Sequence, residues 1–478
     1  MNKLKDLQPE PVWRYFEEIS RIPRASYKEE AISEYVCNFA KERGLKYYRD
    51  QWNNVIIIKD ATKGYEDKEP YILQGHMDMV CEKTPDCAID FDKDGLELAV
   101  DGDYVYARGT TLGGDDGIAV AYALALLDAE DIPHPKLEVV LTTAEEVGME
   151  GAKNIDLHML SGRKLLNLDS EEEGIFLTSC AGGCMASCHI PVEWEESNGI
   201  AYQLHAYGML GGHSGCEIDK KRANASLVLA RILLECKDLG IHLLGGAGGL
   251  KDNAIPLEAK VNVLVSPELQ KEFEDKVKAS VKAIREEYAA TDPGLKVDII
   301  SKGKAEEKVL TAKSQDKVLC LMNLLPNGVQ AMSAQVEGLV ETSLNLGIFR
   351  LDEELYLGYL IRSSVGSAKD YLASKIKYMV ELAGGTCSFS GDYPAWEYRR
   401  DSRLREDMIQ LYKQMYGKEP LVQAIHAGLE CGYLAGKLTD LDVVSFGPDI
   451  LDIHTTKERI SITSTERVWR YLLALLAL

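Results

Sequence analysis

No run of apolar residues in this chain approaches the about 18 that a membrane-spanning helix needs. The opening Met1-Asn2-Lys3-Leu4-Lys5-Asp6-Leu7-Gln8-Pro9 also lacks the apolar stretch of a secretion signal. Both absences lead us to expect a cytoplasmic protein. Basic residues are scarce: 54 Lys and Arg stand against 76 Asp and Glu, a net charge of −22. Such a surface repels polyphosphate and anionic lipid, so neither nucleic acid nor a membrane is expected as a partner. The 11 cysteines are an odd number scattered over a long chain, which argues against a disulfide framework and for a reducing compartment. Cys180, Cys184 and Cys188 are evenly spaced about Gly182-Gly183 but contain no CxxC pair. We read them as small buried hydrophobes rather than as zinc ligands.

With 478 residues the chain exceeds one ordinary core, so two domains, or one domain with a large insertion, are expected. A composition 46% hydrophobic and 27% charged is that of a globular protein. Helices are predicted from Pro11 and over 27–42, strands over 54–58 and 71–74, and a helix rich in Ala and Leu over 118–127. The apolar runs 137–143 and 165–168 suit buried strands of a mostly parallel sheet. Strands alternating with helices predict an α/β sandwich whose functional groups gather at the carboxyl ends of the strands. From about His189 to Tyr393 the order becomes strand, helix, strand, strand, helix, strand, and recurs once. The α/β pattern resumes with a helix over 403–416, a strand over 441–446 and a closing helix over 464–476. The expected architecture is therefore α/β: a catalytic sandwich in two segments, 1–188 and 395–478, with an inserted α+β lid of two similar halves over 189–394.

Chemistry collects where these strands end. His76 closes the run Tyr71-Ile72-Leu73-Gln74-Gly75, with Asp78 two residues on. Asp115-Asp116 sits in a glycine-flanked loop, Glu145-Glu146 follows the strand ending near Thr143, Asp169 ends another, and His454 lies in a loop beyond Phe446. Taken singly, each fits a solvated turn, and Asp116 fits an ordinary helix cap. Taken together, His76, Asp115, Glu146, Asp169 and His454 form the mixed nitrogen and oxygen set that zinc or a related divalent ion accepts. Two imidazoles and three carboxylates suit two ions about 3.5–4 Å apart that share one carboxylate and one water. Glu145, beside a ligand yet free of metal, is the expected general base, and Asp78 would hold the ring of His76. We expect two ions per chain, zinc first, with cobalt or manganese as alternatives.

The phrases Gly75-His76-Met77-Asp78, Gly114-Asp115-Asp116-Gly117, Glu145-Glu146-Val147-Gly148, Leu168-Asp169-Ser170 and His454 resemble those of the co-catalytic dizinc exopeptidases, the group of aminoacylase, carboxypeptidase G and carnosinase. Gln74-Gly75-His76-Met77-Asp78-Met79-Val80 and His426-Ala427-Gly428-Leu429-Glu430-Cys431-Gly432 are similar to its Xaa-His dipeptidase branch. The resemblance implies that Asp115 bridges the metals beside a cis peptide. It also implies that His213, in Gly211-Gly212-His213-Ser214-Gly215, stabilises the oxyanion, and that Asn253, Arg362 and Gly428 contact the substrate. The implied activity is hydrolysis of dipeptides such as β-alanyl-histidine by a metal-bridged hydroxide, with Glu145 as base. N-acyl amino acid deacylation, tripeptide cleavage and silent peptide binding are the alternatives. A small peptide is the expected partner. The doubled insertion leaves both a monomer and a homodimer open, because one half can play the part of a partner subunit.

Overall fold

The computed structural model describes residues 3–478; Met1 and Asn2, at the start of the expected first segment, lie outside the described residues. The chain divides into two compact units. One comprises the residues up to Ser179 with Tyr398–Ala424 and Leu429–Leu478, the other Cys180–Glu397 with Ile425–Gly428. The boundaries expected at 188/189 and 394/395 both fall inside the second unit. The strand Gly182–Pro191 belongs to that unit's sheet, and Trp396 pairs with Cys180.

The first unit is built on an eight-stranded sheet. Its centre is parallel: Leu137–Thr142, Tyr71–His76, Lys164–Asn167 and Asp442–Ser445 lie side by side and run the same way. Val55–Lys59 and Ile175–Cys180 flank them antiparallel. Central parallel strands are covered on both faces and therefore cannot alternate apolar with polar. Accordingly, every residue of Tyr71–His76, Leu137–Thr142 and Asp442–Ser445 is buried. The helix Gly114–Asp128 lies between the helix Glu10–Ile19 and the strand Tyr71–His76. It is buried from Gly114 to Leu127, which explains why its sequence has no polar face. Its first turn comes so close to the strand that a Cβ on Gly75 would stand 2.4 Å from both the Ala119 Cβ and the Asp116 carboxylate. Glycine at 75 is what permits this approach. A small antiparallel sheet adds Ile450–Leu451, Arg459–Ser461, Tyr104–Ala107 and Leu98–Asp101, and the turn joining the first two carries His454.

The second unit holds a nine-stranded antiparallel sheet with helices packed on it. Its first half is the strand Trp194–Tyr207, the helix Ala225–Glu235, the strands His242–Gly248 and Ala259–Val265, the helix Gln270–Glu287 and the strand Lys296–Leu310. In space these strands stand in the order fourth, first, third, second. The second half repeats that order with Gly182–Pro191, Val340–Leu351, Glu354–Ser363 and Thr386–Tyr393. His242–Gly248 pairs with Val340–Leu351 and joins the halves. The expected repetition is therefore present, but it is nested: the first strand of the second half precedes the whole of the first half. Gly182-Gly183-Cys184-Met185-Ala186-Ser187-Cys188 has no β-branched or aromatic residue to mark it as a strand, and for that reason the lid was expected to begin only at 189. Cys184 and Cys188 are buried in this unit's core, in keeping with their reading as small hydrophobes. Among the described residues, no helix is long and apolar enough to cross a membrane.

Candidate active site

Three of the parallel strands deliver the chemistry. His76 is the last residue of Tyr71–His76, Glu145 and Glu146 follow Leu137–Thr142, and Asp169 follows Lys164–Asn167. Asp115 sits at the entrance of the buried helix, joined to Asp116 by a cis peptide bond. His454 is held in its turn with φ of 58°, a backbone conformation that non-glycine residues seldom adopt. Asp115 lies between the two imidazoles: its Oδ1 is 3.0 Å from His76 Nε2 and its Oδ2 is 3.2 Å from His454 Nε2. Each imidazole has an acid of its own. Asp169 Oδ1 is 3.5 Å from His76 Nε2, and Glu146 Oε2 is 3.0 Å from His454 Nε2.

These separations suit metal ligation. Ligands about 2.0–2.2 Å from a tetrahedral zinc stand about 3.3–3.6 Å from each other; the Asp169–His76 spacing of 3.5 Å lies in that range, and the other three, at 3.0–3.2 Å, are hydrogen-bonded contacts just below it. The other oxygen of Glu146 is buried without a partner, an orphan that a cation would satisfy. The residues that could hold two ions are thus His76, Asp115 and Asp169 for one, and His454, Asp115 and Glu146 for the other. Ligand atoms of His76, Asp116 and Asp169 also lie within 4.8 Å of one another. Asp116 Oδ2, however, already accepts the His76 amide at 3.1 Å, so we set Asp116 apart. Asp115 and Asp116 have non-helical backbone angles at the head of this helix, and the Asp116 carboxyl is engaged by the His76 amide rather than by the helix's own first amides.

Electrostatics sets the groups apart. Hydrogen bonds donated to Asp115 and Glu146 push His454 up to about 11. Burial opposes protonation of His76, but Asp169 and Asp115 outweigh it and raise that ring well above its ordinary value. Burial pushes Asp169 up to about 6. Burial also raises Glu145 well above the usual carboxylate range; His76 opposes this, while Asp169 and Glu430 add to it. Asp78 is completely buried and does more than hold one ring. Its Oδ1 lies 3.4 Å from His76 Nδ1 and accepts the Glu145 amide at 3.1 Å, and its Oδ2 accepts Ser26 Oγ at 2.8 Å and the Glu146 amide at 3.3 Å. With its own carbonyl 3.1 Å from His76 Nδ1, Asp78 therefore holds a predicted ligand and, through its carboxylate, the backbone of the predicted base.

Sequence reasoning missed two supports in this unit. Glu458, 3% exposed, accepts the amides of Leu112, Gly113 and Gly114 at 2.7, 2.9 and 2.7 Å and so shapes the loop that presents Asp115. Arg24, fully buried, donates to the carbonyls of Met77, Asp78 and Gly113. Three consecutive amides in a Leu-Gly-Gly loop call for an anion, which was the available signal for Glu458.

The second unit groups the remaining predicted residues. His213 pairs with Ala254 across a two-residue ribbon, and the neighbouring Asn253 carbonyl accepts the Ser214 amide at 2.9 Å. His213 Nδ1 accepts the amides of Gly215 and Cys216 at 3.2 and 3.1 Å. That assignment puts the proton of the neutral ring on Nε2. Burial and the charge of Arg362 hold the ring's pKa below its ordinary value, so the ring is a neutral N–H donor. Arg362 is 6% exposed, donates to Tyr393 Oη at 2.6 Å and comes within 3.5 Å of His213 Nε2. Its Nε is buried without a partner. Gly428 follows Ala427, whose carbonyl accepts the Ala181 amide at 3.0 Å, and the His426 carbonyl packs so tightly on Gly215 that a Cβ there would be 2.4 Å away.

His426, which drew notice only as part of a motif, is buried with its Nε2 2.7 Å from Ser343 Oγ. Burial and then Arg362 lower it to about 3. The unfolded chain therefore takes up a proton below about pH 6.5 that the folded site refuses, and this contribution to stability is lost as the pH falls from there toward 3. Urea unfolding should show wild type losing about 2 kcal/mol more than His426→Gln between pH 7.5 and 5.0; parallel losses would contradict a neutral buried His426.

The description peptidase family M20/M25/M40 matches residues 72–478. The cytosol non-specific dipeptidase of Escherichia coli (strain K12) is 38% identical over 482 residues, spanning 100% of this chain and 99% of that protein. The crystal structure of the aminoacylhistidine dipeptidase from Vibrio alginolyticus superposes with a TM-score of 0.94 at 36% identity, covering 99% of this chain and 97% of the other. A tripeptidase from Staphylococcus aureus shares the fold, with a TM-score of 0.55 at 14% identity over 98% of both chains. A family match over most of the chain and two end-to-end relatives above 30% identity place this protein in peptidase family M20/M25/M40.

Proposed function

We propose that this chain is a dinuclear metal-dependent dipeptidase that prefers Xaa-His substrates such as β-alanyl-histidine. The observation that carries the reading is Asp115 between His76 and His454, each imidazole backed by its own acid, with Glu145 beside them. Two divalent ions bound there, zinc by preference, would polarise the scissile carbonyl and acidify the attacking water. Glu145 takes the proton of that water and delivers it to the leaving nitrogen. Asp78 keeps Glu145 and His76 in place through the bonds described above.

His213, from this chain or from a second copy, donates Nε2–H to the oxygen that becomes negative. Arg362 takes the terminal carboxylate of the dipeptide, with Asn253 and the Gly428 backbone as further contacts. The two end-to-end relatives bear different names, one a non-specific dipeptidase and the other an aminoacylhistidine dipeptidase. We therefore expect a preference among dipeptides rather than absolute selection. The test is a panel of β-alanyl-histidine, other Xaa-His, unrelated dipeptides, tripeptides and N-acyl amino acids, with metal analysis on the same sample. Cleavage confined to dipeptides with two ions per chain is the expected result. Faster turnover of acylated amino acids would overturn it.

A further inference from the structure

Glu430 opens the helix Glu430–Lys437 and is completely buried, yet no step of the proposed reaction uses it. Its Oε2 accepts two short hydrogen bonds, from Gln74 Nε2 and from Thr142 Oγ1, both at 2.6 Å. Gln74 passes the link on: its Oε1 accepts Asn167 Nδ2 at 2.6 Å. These partners stand on the three neighbouring parallel strands Leu137–Thr142, Tyr71–His76 and Lys164–Asn167. Each precedes a site residue by a few positions. Gln74 leads to His76, Thr142 to Glu145 and Glu146, and Asn167 to Asp169.

Backbone ladders space the strands about 4.8 Å apart, but they stop where the strands end, and the reactive side chains begin there. We propose that Glu430 is a positioning residue: its one carboxylate ties three strand ends together and so sets the spacing of the metal ligands and the base. The inference rests on the metal-site reading above. A group kept for stability alone would have both oxygens satisfied, whereas Glu430 Oε1 is buried with no partner. Two strand ends meeting on one oxygen, with a third tied in through Gln74, is an arrangement that serves geometry.

Glu430→Gln, Glu430→Ala and Thr142→Val separate the possibilities in the full-length protein. The readouts are affinity of the metal-stripped protein for zinc and for manganese by calorimetry, kcat and KM on a dipeptide, and thermal unfolding. In Glu430→Gln the amide oxygen can still accept both bonds, so affinity and kcat should stay within about threefold of wild type. Glu430→Ala should lose about 10–100-fold in metal affinity and in kcat, with KM little changed, the size of effect seen when the partners of metal ligands are removed. Thr142→Val, which removes one of the two bonds, should fall between them.

A folded Glu430→Ala protein with wild-type affinity and kcat and only a lower unfolding temperature would overturn the proposal. So would a Glu430→Gln protein as impaired as Glu430→Ala, since charge rather than the tie would then be responsible. Should Glu430→Ala fail to fold, wild-type metal affinity in Thr142→Val would be decisive against it. Wild-type protein that binds fewer than two ions would instead defeat the metal-site reading itself.

Discussion

Glu145→Gln should leave two ions per chain in place and lower kcat by about 10²–10⁴-fold, the range attributable to a positioned general base. The substitution conserves size and shape, and the backbone amide of residue 145 remains bonded to Asp78 Oδ1. The five predicted ligands are untouched, so metal content should not change. What disappears is the capacity to take a proton from water and return one to the leaving nitrogen. Steady-state kinetics and metal analysis on the same preparation check this. Activity close to wild type with full metal content would remove Glu145 from the mechanism and leave the base to be sought elsewhere.

Arg362→Ala should lower kcat/KM for free dipeptides by about 30-fold or more, chiefly through KM. A guanidinium that is 6% exposed ordinarily faces a carboxylate, yet no Asp or Glu forms an ion pair with Arg362 among the described residues. Its hydrogen-bond partner is the neutral phenol of Tyr393, and the neutral His213 ring lies beside it. On the proposed function, this uncompensated buried cation would meet the carboxylate of the dipeptide. Truncating one partner of a buried charge pair costs about 2–5 kcal/mol. The control is a dipeptide with its carboxylate converted to an amide. Wild type should handle it poorly, and Arg362→Ala should discriminate little between the two forms. If the variant loses equally on both, Arg362 serves the fold of the lid rather than the substrate's carboxylate.

Much of the catalytic unit could be read from sequence because parallel strands announce themselves. His76 or Asp169 alone at the end of a short apolar run fits a solvated turn, but several such ends in one chain point to a shared site, and the burial of Tyr71–His76 bears out the run. His454 was harder to read, since it belongs to a turn of a small antiparallel sheet and owes its place to an unusual backbone conformation. Family resemblance singled it out more than any local pattern did. Glu430 and Glu458 escaped notice for a different reason. An acid in the first turn of a helix, or in a polar loop, normally faces water and favours the helix dipole. That these two face inward depends on Gln74 and Thr142 in one case and on the Leu112-Gly113-Gly114 amides in the other. Such partners are remote in sequence, and no periodicity connects them. The nested lid was hidden likewise, because the order of strands along the chain does not reveal which one waits for a distant partner.

That waiting has a cost during synthesis. Gly182–Pro191 leaves the ribosome early, but His189 is separated by 165 residues from Glu354, on the strand that pairs with it. At about 5–20 residues per second the strand stays unpaired for about 10–30 s, while the intervening half, complete by Leu310, can close on itself. An exposed strand with open edges is a template for association with other chains. Its composition offers some protection, because Gly182, Gly183, Ala186 and Ser187 give it little tendency to pair prematurely. The same poverty of β-branched residues that concealed this strand from sequence reading also lowers its intrinsic tendency to pair before its partner is made.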